Sequence, residues 1–311
     1  MKKIAILIII FCILTLASIY LSIPTPIRMT KSFGITCSAE GANRFFSQKS
    51  NWSKFWTAGE YDSSSDRVVY KKDTLQVIKR LRNSIELLFH HRSTVLPVTL
   101  ELFPFSADST VMEWHMSIDA DLNPVTRILQ YRQARHVKRI MAELMQRIKS
   151  FLDKKENVYG IVIEKISTTD TMLVATRSVY PVYPSTSEIY GLVNTLLQYI
   201  TSRQAEQTGS PIMNVTQMDK DKYELMVAVP MNKELPETGN IFFRRMVPGN
   251  FMSTEITGGS HTISQALSQL QLFMYDTKKT ILAIPFQAMI TDRSKETDTT
   301  KWLTRIYYPT M

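Results

Sequence analysis

The chain of 311 residues has room for two domains of ordinary size. With 44% hydrophobic and 21% charged residues its composition is that of a globular rather than a disordered protein. Thirty-seven Lys and Arg against 28 Asp and Glu leave a net charge of +9, which suits an anionic membrane surface or an anionic ligand. Two cysteines exclude a disulfide framework, no CxxC or Cys/His cluster points to zinc, and no cofactor or metal is expected. The basic residues are scattered without a zinc-finger or clear helix-turn-helix signal, so no nucleic-acid partner is expected.

Taken in chain order, Lys2 and Lys3 precede about twenty uncharged residues, 4–23, a length that spans a bilayer as a helix. The run ends on LASIYLSIP, which lacks an Ala-x-Ala cleavage site. The reading is an uncleaved single-pass anchor with its stalk over residues 1–27, a cleaved signal peptide being the alternative. Lys2 and Lys3 are nearly balanced by Arg28 and Lys31 across the span, and the short N-terminal tail favours a body outside the cytoplasm.

Residues 29–37 read as a strand, and SAEGANRFFSQKSNWSKFW, 38–56, as one or two short helices. After the polar turn EYDSSSD the pattern becomes strands: TLQVIKR, SIELLFHH, VLPVTLELFPF and STVMEWHMSID. In the last, Met112, Trp114, Met116 and Ile118 share one face, with Glu113, His115, Ser117 and Asp119 on the other. From 123 to 158 the period changes to helical, with Val137, Ile140, Met141, Leu144, Met145, Ile148 and Leu152 on one stripe. A strand, short helices with NWSKFW, antiparallel strands and a long closing helix, over residues 28–156, resemble the START-like (SRPBCC) superfamily. That resemblance implies a curved sheet wrapped on the long helix, with an apolar ligand often held between them.

The second half, 157–311, is written twice. GIVIEKIS, TMLVATRSVYPV, a helix over 184–209, PIMNVTQ and KYELMVAVP are followed by NIFFRRMVPG, NFMSTEITGG, a second helix, TILAIPFQAMI and KWLTRIYYP. The two helices align at an offset of 74, Ile189, Val193, Leu196 and Ile200 against Ile263, Leu267, Leu270 and Met274. The Pro-ended strands align at 79, the difference being loop length. A duplicated β-α-β-β unit makes a pseudo-two-fold sheet with a groove between halves. On the EKISTTDTMLVATRSVYP and MVPGNFMSTEITGG openings and both Pro-ended strands, this half resembles the gyrase-inhibitor-like (GyrI-like) effector-binding domain. The fold class expected is α+β throughout.

No GxSxG, HExxH, P-loop or dinucleotide motif occurs. His90 and His91 are adjacent in a strand and point to opposite faces, so they read as sheet filler. Glu113 and His115 share a face and offer either an acid–base pair or a solvated surface. Trp52, Trp56 and Trp114 line a cavity or fill a core. Tyr180 and Tyr183 stand where loop aromatics close over a ligand or pack a proline-stiffened turn.

In the closing strand Leu303, Arg305 and Tyr307 share one face. The gyrase-inhibitor-like resemblance implies a glutamate where TRIYYP has Arg305, a glutamate that attracts cationic aromatic ligands and that stand-alone members reported as hydrolases use. The arginine departs from both roles. Arg305 needs solvent, a carboxylate such as Glu224 or Glu255, or an anionic ligand. The reading is an effector-binding protein that takes a small lipophilic or amphipathic molecule between the pseudo-symmetric halves, with Arg305, Tyr307, Glu255, Glu224, Tyr180 and Tyr183 at the site and the N-terminal helix in the membrane. A hydrolase of small lipophilic molecules and an interaction module without ligand are the alternatives.

Overall fold

A computed structural model describes residues 2–56, 60–246 and 248–311. The chain divides into two compact units, Met1–Lys154 and Lys155–Met311. Both are antiparallel sheets with helices packed against them, so the class is mixed α+β.

The first unit begins with helix α1, Lys2–Ser22. No helix among the described residues is long and apolar enough to cross a membrane, and this corrects the expected single-pass anchor and the location drawn from it. The physical reason lies in its last turns, which carry Thr15, Ser18, Tyr20 and Ser22 and are tied to the folded unit. Tyr20 donates its hydroxyl to Leu122 O at 3.2 Å, and the Arg127 guanidinium lies 4.3 Å from the Tyr20 ring centroid. Residues 4–19, between the lysines and that tether, rise about 24 Å as a helix, short of the roughly 30 Å of a bilayer hydrocarbon core.

Strand β1, Ile27–Ile35, leads into two short helices, α2, Ala39–Ser47, and α3, Lys49–Trp52. Six further strands follow: β2, Tyr61–Asp62; β3, Arg67–Tyr70; β4, Asp73–Arg80; β5, Ser84–His91; β6, Thr94–Pro104; and β7, Thr110–Ile118. They form one seven-stranded sheet in the order β1-β7-β6-β5-β4-β3-β2, with β7 returning beside β1. Alternation decides its two faces: Met112, Trp114 and Met116 are buried while Glu113 and His115 between them are not. Glu113 accepts from Ser32 Oγ at 2.5 Å and His115 lies 3.8 Å from Glu101, so Glu113 and His115 find separate partners. Trp52 and Trp56 join Phe45, Phe46 and Phe55 in an aromatic cluster, and Trp114 is fully buried.

Helix α4, Pro124–Leu152, lays its stripe of Val137, Ile140, Met141, Leu144, Met145, Ile148 and Leu152 into the core. Asn123 caps it, its side chain accepting from Val125 N and Thr126 N. It stops six residues before the expected 158, at Asp153, whose carboxylate is drawn sideways by Thr36 N at 2.7 Å and Lys149 Nζ at 2.8 Å.

The second unit opens with α5, Lys155–Tyr159. Its repeats run β8, Glu164–Thr168; β9, Thr171–Tyr180; α6, Thr186–Ser202; β10, Ile212–Asp219; β11, Lys222–Met231; then β12, Ile241–Met246; β13, Gly249–Thr257; α7, Ser260–Asp276; β14, Phe286–Met289; β15, Leu303–Thr310. The eight strands make one sheet, β12-β9-β11-β10-β14-β15-β13-β8, in which each half mirrors the other about the β10–β14 seam. The opening strands are exchanged: β12 pairs with β9 of the first repeat, and β8 with β13 of the second. The two repeats are thus stitched at both edges as well as in the middle. Both helices lie on one face, α6 over Val174, Val227 and Val229, and α7 over Met252, Ile306 and Tyr308.

Candidate functional site

The seam between the halves is short. Strands β10 and β14 pair only through Ile212–Ala288 and Met213–Gln287. Pro285 ends the ladder because it has no N–H to donate, and Asn214 Nδ2 instead reaches Pro285 O at 2.8 Å. Beyond that point the halves part, leaving a cavity of about 540 Å³ on the helix-bearing face of the sheet. Ile189 of α6 and Ile263 of α7, equivalent positions of the duplication, face each other across it, with Met213 and Gln287 at its base.

Two features give this cavity a sign of charge. The first is Arg293, in the loop before β15, which lines the cavity and is only 7% exposed. Its terminal nitrogen donates to Thr304 Oγ1 at 2.7 Å, and its guanidinium lies 4.9 Å from the Trp302 ring centroid. Its Nε finds no acceptor, and among the described residues no carboxylate stands within ion-pair range of it. Burial pulls its pKa below the usual arginine value, because the charged form has lost its water. The adjacent carboxylate, Asp292, is turned away, accepting from Ser294 Oγ at 2.5 Å and pairing with Lys295 at 2.9 Å.

The second is the start of α7. Gly259 is its N-cap and supplies no side-chain acceptor, and its first turn holds no acidic residue. The first N–H groups of a helix have no intrahelical partner and carry the positive end of its dipole, and Ser260 and His261 bring this end to the cavity wall. Gly258 must be glycine: its φ is +146°, and a Cβ there would stand 2.8 Å from Thr262 Oγ1. Helix α6 starts at the same cavity but is neutralised internally, Ser185 and Glu188 forming a reciprocal capping box.

The residues expected from sequence are distributed differently. Arg305 and Glu255 are cross-strand partners on the helix-free face, joined by Arg305 Nε donating to Glu255 Oε2 at 3.0 Å, and each is more than two-fifths exposed. Tyr307 stacks on Phe286 at 4.8 Å on the same face and meets Phe251 edge-on. Glu224 lies 3.5 Å from Arg177. Tyr180 faces Tyr223 across the β9–β11 ladder, and Tyr223 in turn makes an edge contact with Tyr183. Of these six, Tyr183 alone lines the cavity that holds Arg293. A second cavity, of about 480 Å³, lies on the helix-free face against Leu173, Ala175, Ala228 and Phe251, and none of the six lines it. Exposed ion pairs contribute about 1 kcal/mol or less. Accordingly Arg305→Met is expected to leave the urea unfolding midpoint of the chain almost unmoved, with a shift equivalent to more than about 1 kcal/mol contradicting the surface assignment.

No family model matches the chain, and no curated protein does. Solved structures similar to it include the C-terminal domain of EcmrR, at 15% identity and a TM-score of 0.43 over 49% of this chain and 98% of that one. SAV2435 bound to tetraphenylphosphonium is similar at 12% identity and a TM-score of 0.33, over 48% of this chain and 93% of that one. A START superfamily protein from Mycobacterium smegmatis is similar at 15% identity and a TM-score of 0.27, over 40% of this chain and 97% of that one. All three are similar at low identity and over part of the chain.

Proposed function

We propose that the second unit binds a small amphipathic anion in the cavity between its two halves. The observation that carries this reading is Arg293, a guanidinium buried beside open volume with no carboxylate paired to it among the described residues. Burying such a charge unpaired is unfavourable, and an anionic group entering the cavity would supply the missing partner in bidentate form. The uncapped start of α7 adds backbone donors of the same sign. Ile189, Ile263 and Trp302 supply apolar and aromatic walls for the rest of the ligand. A volume of about 540 Å³ is that of a site for one small molecule.

The hydrolase alternative has less to support it in this cavity. His261 Nε2 is engaged with Gln265 at 2.9 Å, and the buried charged side chain of the wall is the Arg293 guanidinium, which does not serve as a base near neutral pH. Calorimetric titration of the chain with 2-naphthoate and with 2-naphthylmethylammonium, rings of one size and opposite charge, tests the proposal. The carboxylate is expected to bind at least about tenfold tighter, a difference of about 1.4 kcal/mol. Equal affinities, or a preference for the ammonium, would rule out the anion site.

A further inference from the structure

The first unit holds a cluster of donors that the cavity of the second unit does not explain. Asp73 opens β4 and His91 closes β5, and the two are cross-strand partners. His136 reaches the same point from α4, 63 residues further along than Asp73. One oxygen of the Asp73 carboxylate meets His91 Nδ1, and the other meets His136 Nε2 at 2.9 Å. The imidazole rings stand 4.3 Å apart between centroids. The three donor atoms all lie within 4.8 Å of one another.

We infer that Asp73, His91 and His136 form a binding site for a divalent transition-metal ion. Asp73 is 2% exposed, and among the described residues no lysine or arginine pairs with it. A carboxylate that deep requires compensating positive charge. The groups turned toward it are two imidazole nitrogens, which are metal ligands in their neutral form. Two nitrogens and one oxygen are a donor set suited to Zn²⁺, Co²⁺, Ni²⁺ or Fe²⁺ and poorly suited to Ca²⁺ or Mg²⁺. Both histidines are about one-quarter exposed, so the site is reachable and leaves coordination positions for water or another ligand. Two strands and a packed helix hold the donors, which favours a fixed geometry.

One neighbour opposes the ion. Arg139 donates to His136 Nδ1 at 3.2 Å, which leaves the ring proton on Nε2, facing Asp73. When a metal takes Nε2, that proton moves to Nδ1, and the contact with Arg139 is lost. Removing Arg139 therefore helps the metal, whereas removing a ligand harms it.

The test is titration of the full chain, stripped with EDTA, with CoCl₂ followed by visible absorption, and then displacement by ZnCl₂. One equivalent of Co²⁺ is expected to develop ligand-field bands in the wild type. Affinity should fall at least about tenfold in His136→Gln and in His91→Gln, and rise in Arg139→Gln. Circular dichroism establishes that each variant is folded, and two histidine variants are used so that one remains informative if the other unfolds. Saturating Zn²⁺ should also raise the melting temperature of the wild type and leave that of the folded histidine variant unchanged. If the wild type and the folded variant bind Co²⁺ equally, or the wild type takes up none at about 1 mM, the cluster is a hydrogen-bonded Asp–His–His group and the metal site is refuted.

Discussion

Arg293→Met is expected to weaken binding of 2-naphthoate by about 30-fold or more and, in the same protein, to make the ligand-free chain more stable. The two effects have one cause. Without a bound anion the guanidinium is desolvated, and among the described residues it has no anionic partner and its Nε no acceptor. A buried ion pays a penalty of several kcal/mol, offset only in part by one charge-assisted hydrogen bond to the Thr304 hydroxyl, worth about 1.5–3 kcal/mol, and by the Trp302 ring, worth about 1–2 kcal/mol. Methionine keeps much of the apolar volume and removes the charge, so calorimetric or urea unfolding should read a gain of about 1 kcal/mol. With the anion bound, the balance reverses: losing a buried charged hydrogen-bond partner costs about 2 kcal/mol or more, which is the 30-fold loss. A purely structural arginine would behave otherwise, its loss destabilising the chain and leaving naphthoate binding unchanged wherever the fold survives. That outcome would end the anion reading.

How far the sequence leads depends on whether local pattern or distant pairing decides a feature. Period-two alternation around Trp114 and the helical stripe from Val137 to Leu152 are local, and both appear in the structure where the pattern places them. The duplication is also legible, because Ile189 and Ile263 recur at matching positions of two helices and end up facing one another. The exchange of β8 and β12 is not, since either edge offers an open ladder and only three-dimensional closure chooses between them. The apolar N-terminal run illustrates the same limit. Its length can be counted, but the tether from Tyr20 to Leu122 and Arg127 joins positions about a hundred residues apart.

The charged residues divide in the same way. Arg305 stands out in the Pro-ended strand, yet its parity directs it to the helix-free face, where Glu255 is its register partner. Arg293 lies in TDRSKETDTT, which reads as a solvated loop, and only the fold buries it under Trp302 and Thr304. The usable signal is slight: its neighbour Asp292 is followed by Ser294 and Lys295, which take up that carboxylate locally. His91 follows His90 in the strand and points to the opposite face, and that alternation says nothing of a third residue arriving from α4.

Arg80→Leu should lower the stability of the first unit by about 3 kcal/mol near neutral pH, and the deficit should shrink in acid. Arg80 and Asp66 are mostly buried and joined by two hydrogen bonds, one of them from the terminal guanidinium nitrogen to Asp66 Oδ1 at 2.8 Å. Arg80 Nε also donates to Phe46 O at 3.1 Å, and the guanidinium lies 4.9 Å from the Trp52 ring centroid. Removing the cation leaves Asp66 buried, with the Tyr61 hydroxyl at 2.7 Å as its remaining side-chain donor among the described residues, and orphaning one member of such a pair costs about 3–5 kcal/mol. The pH dependence follows from opposing effects on Asp66. Burial raises its pKa, but the hydrogen bonds from Arg80 and Tyr61 outweigh burial and hold the carboxyl below its ordinary 3.8. A depressed carboxyl contributes stability that is complete above the unfolded value and is lost as pH falls through the lower folded value. Tyr61 sets the opposite edge: burial first, then the bond to Asp66, pushes its phenol up to about 12, so its contribution is complete below the ordinary 10.0 and is lost as pH rises through about 12. In Arg80→Leu the orphaned Asp66 is relieved by protonation, which the wild type does not need until lower pH. Urea unfolding of both proteins between about pH 5 and pH 2 should therefore bring their curves together, and a gap that stays constant over that range would show that Arg80 acts through packing on Trp52 rather than through the Asp66 charge.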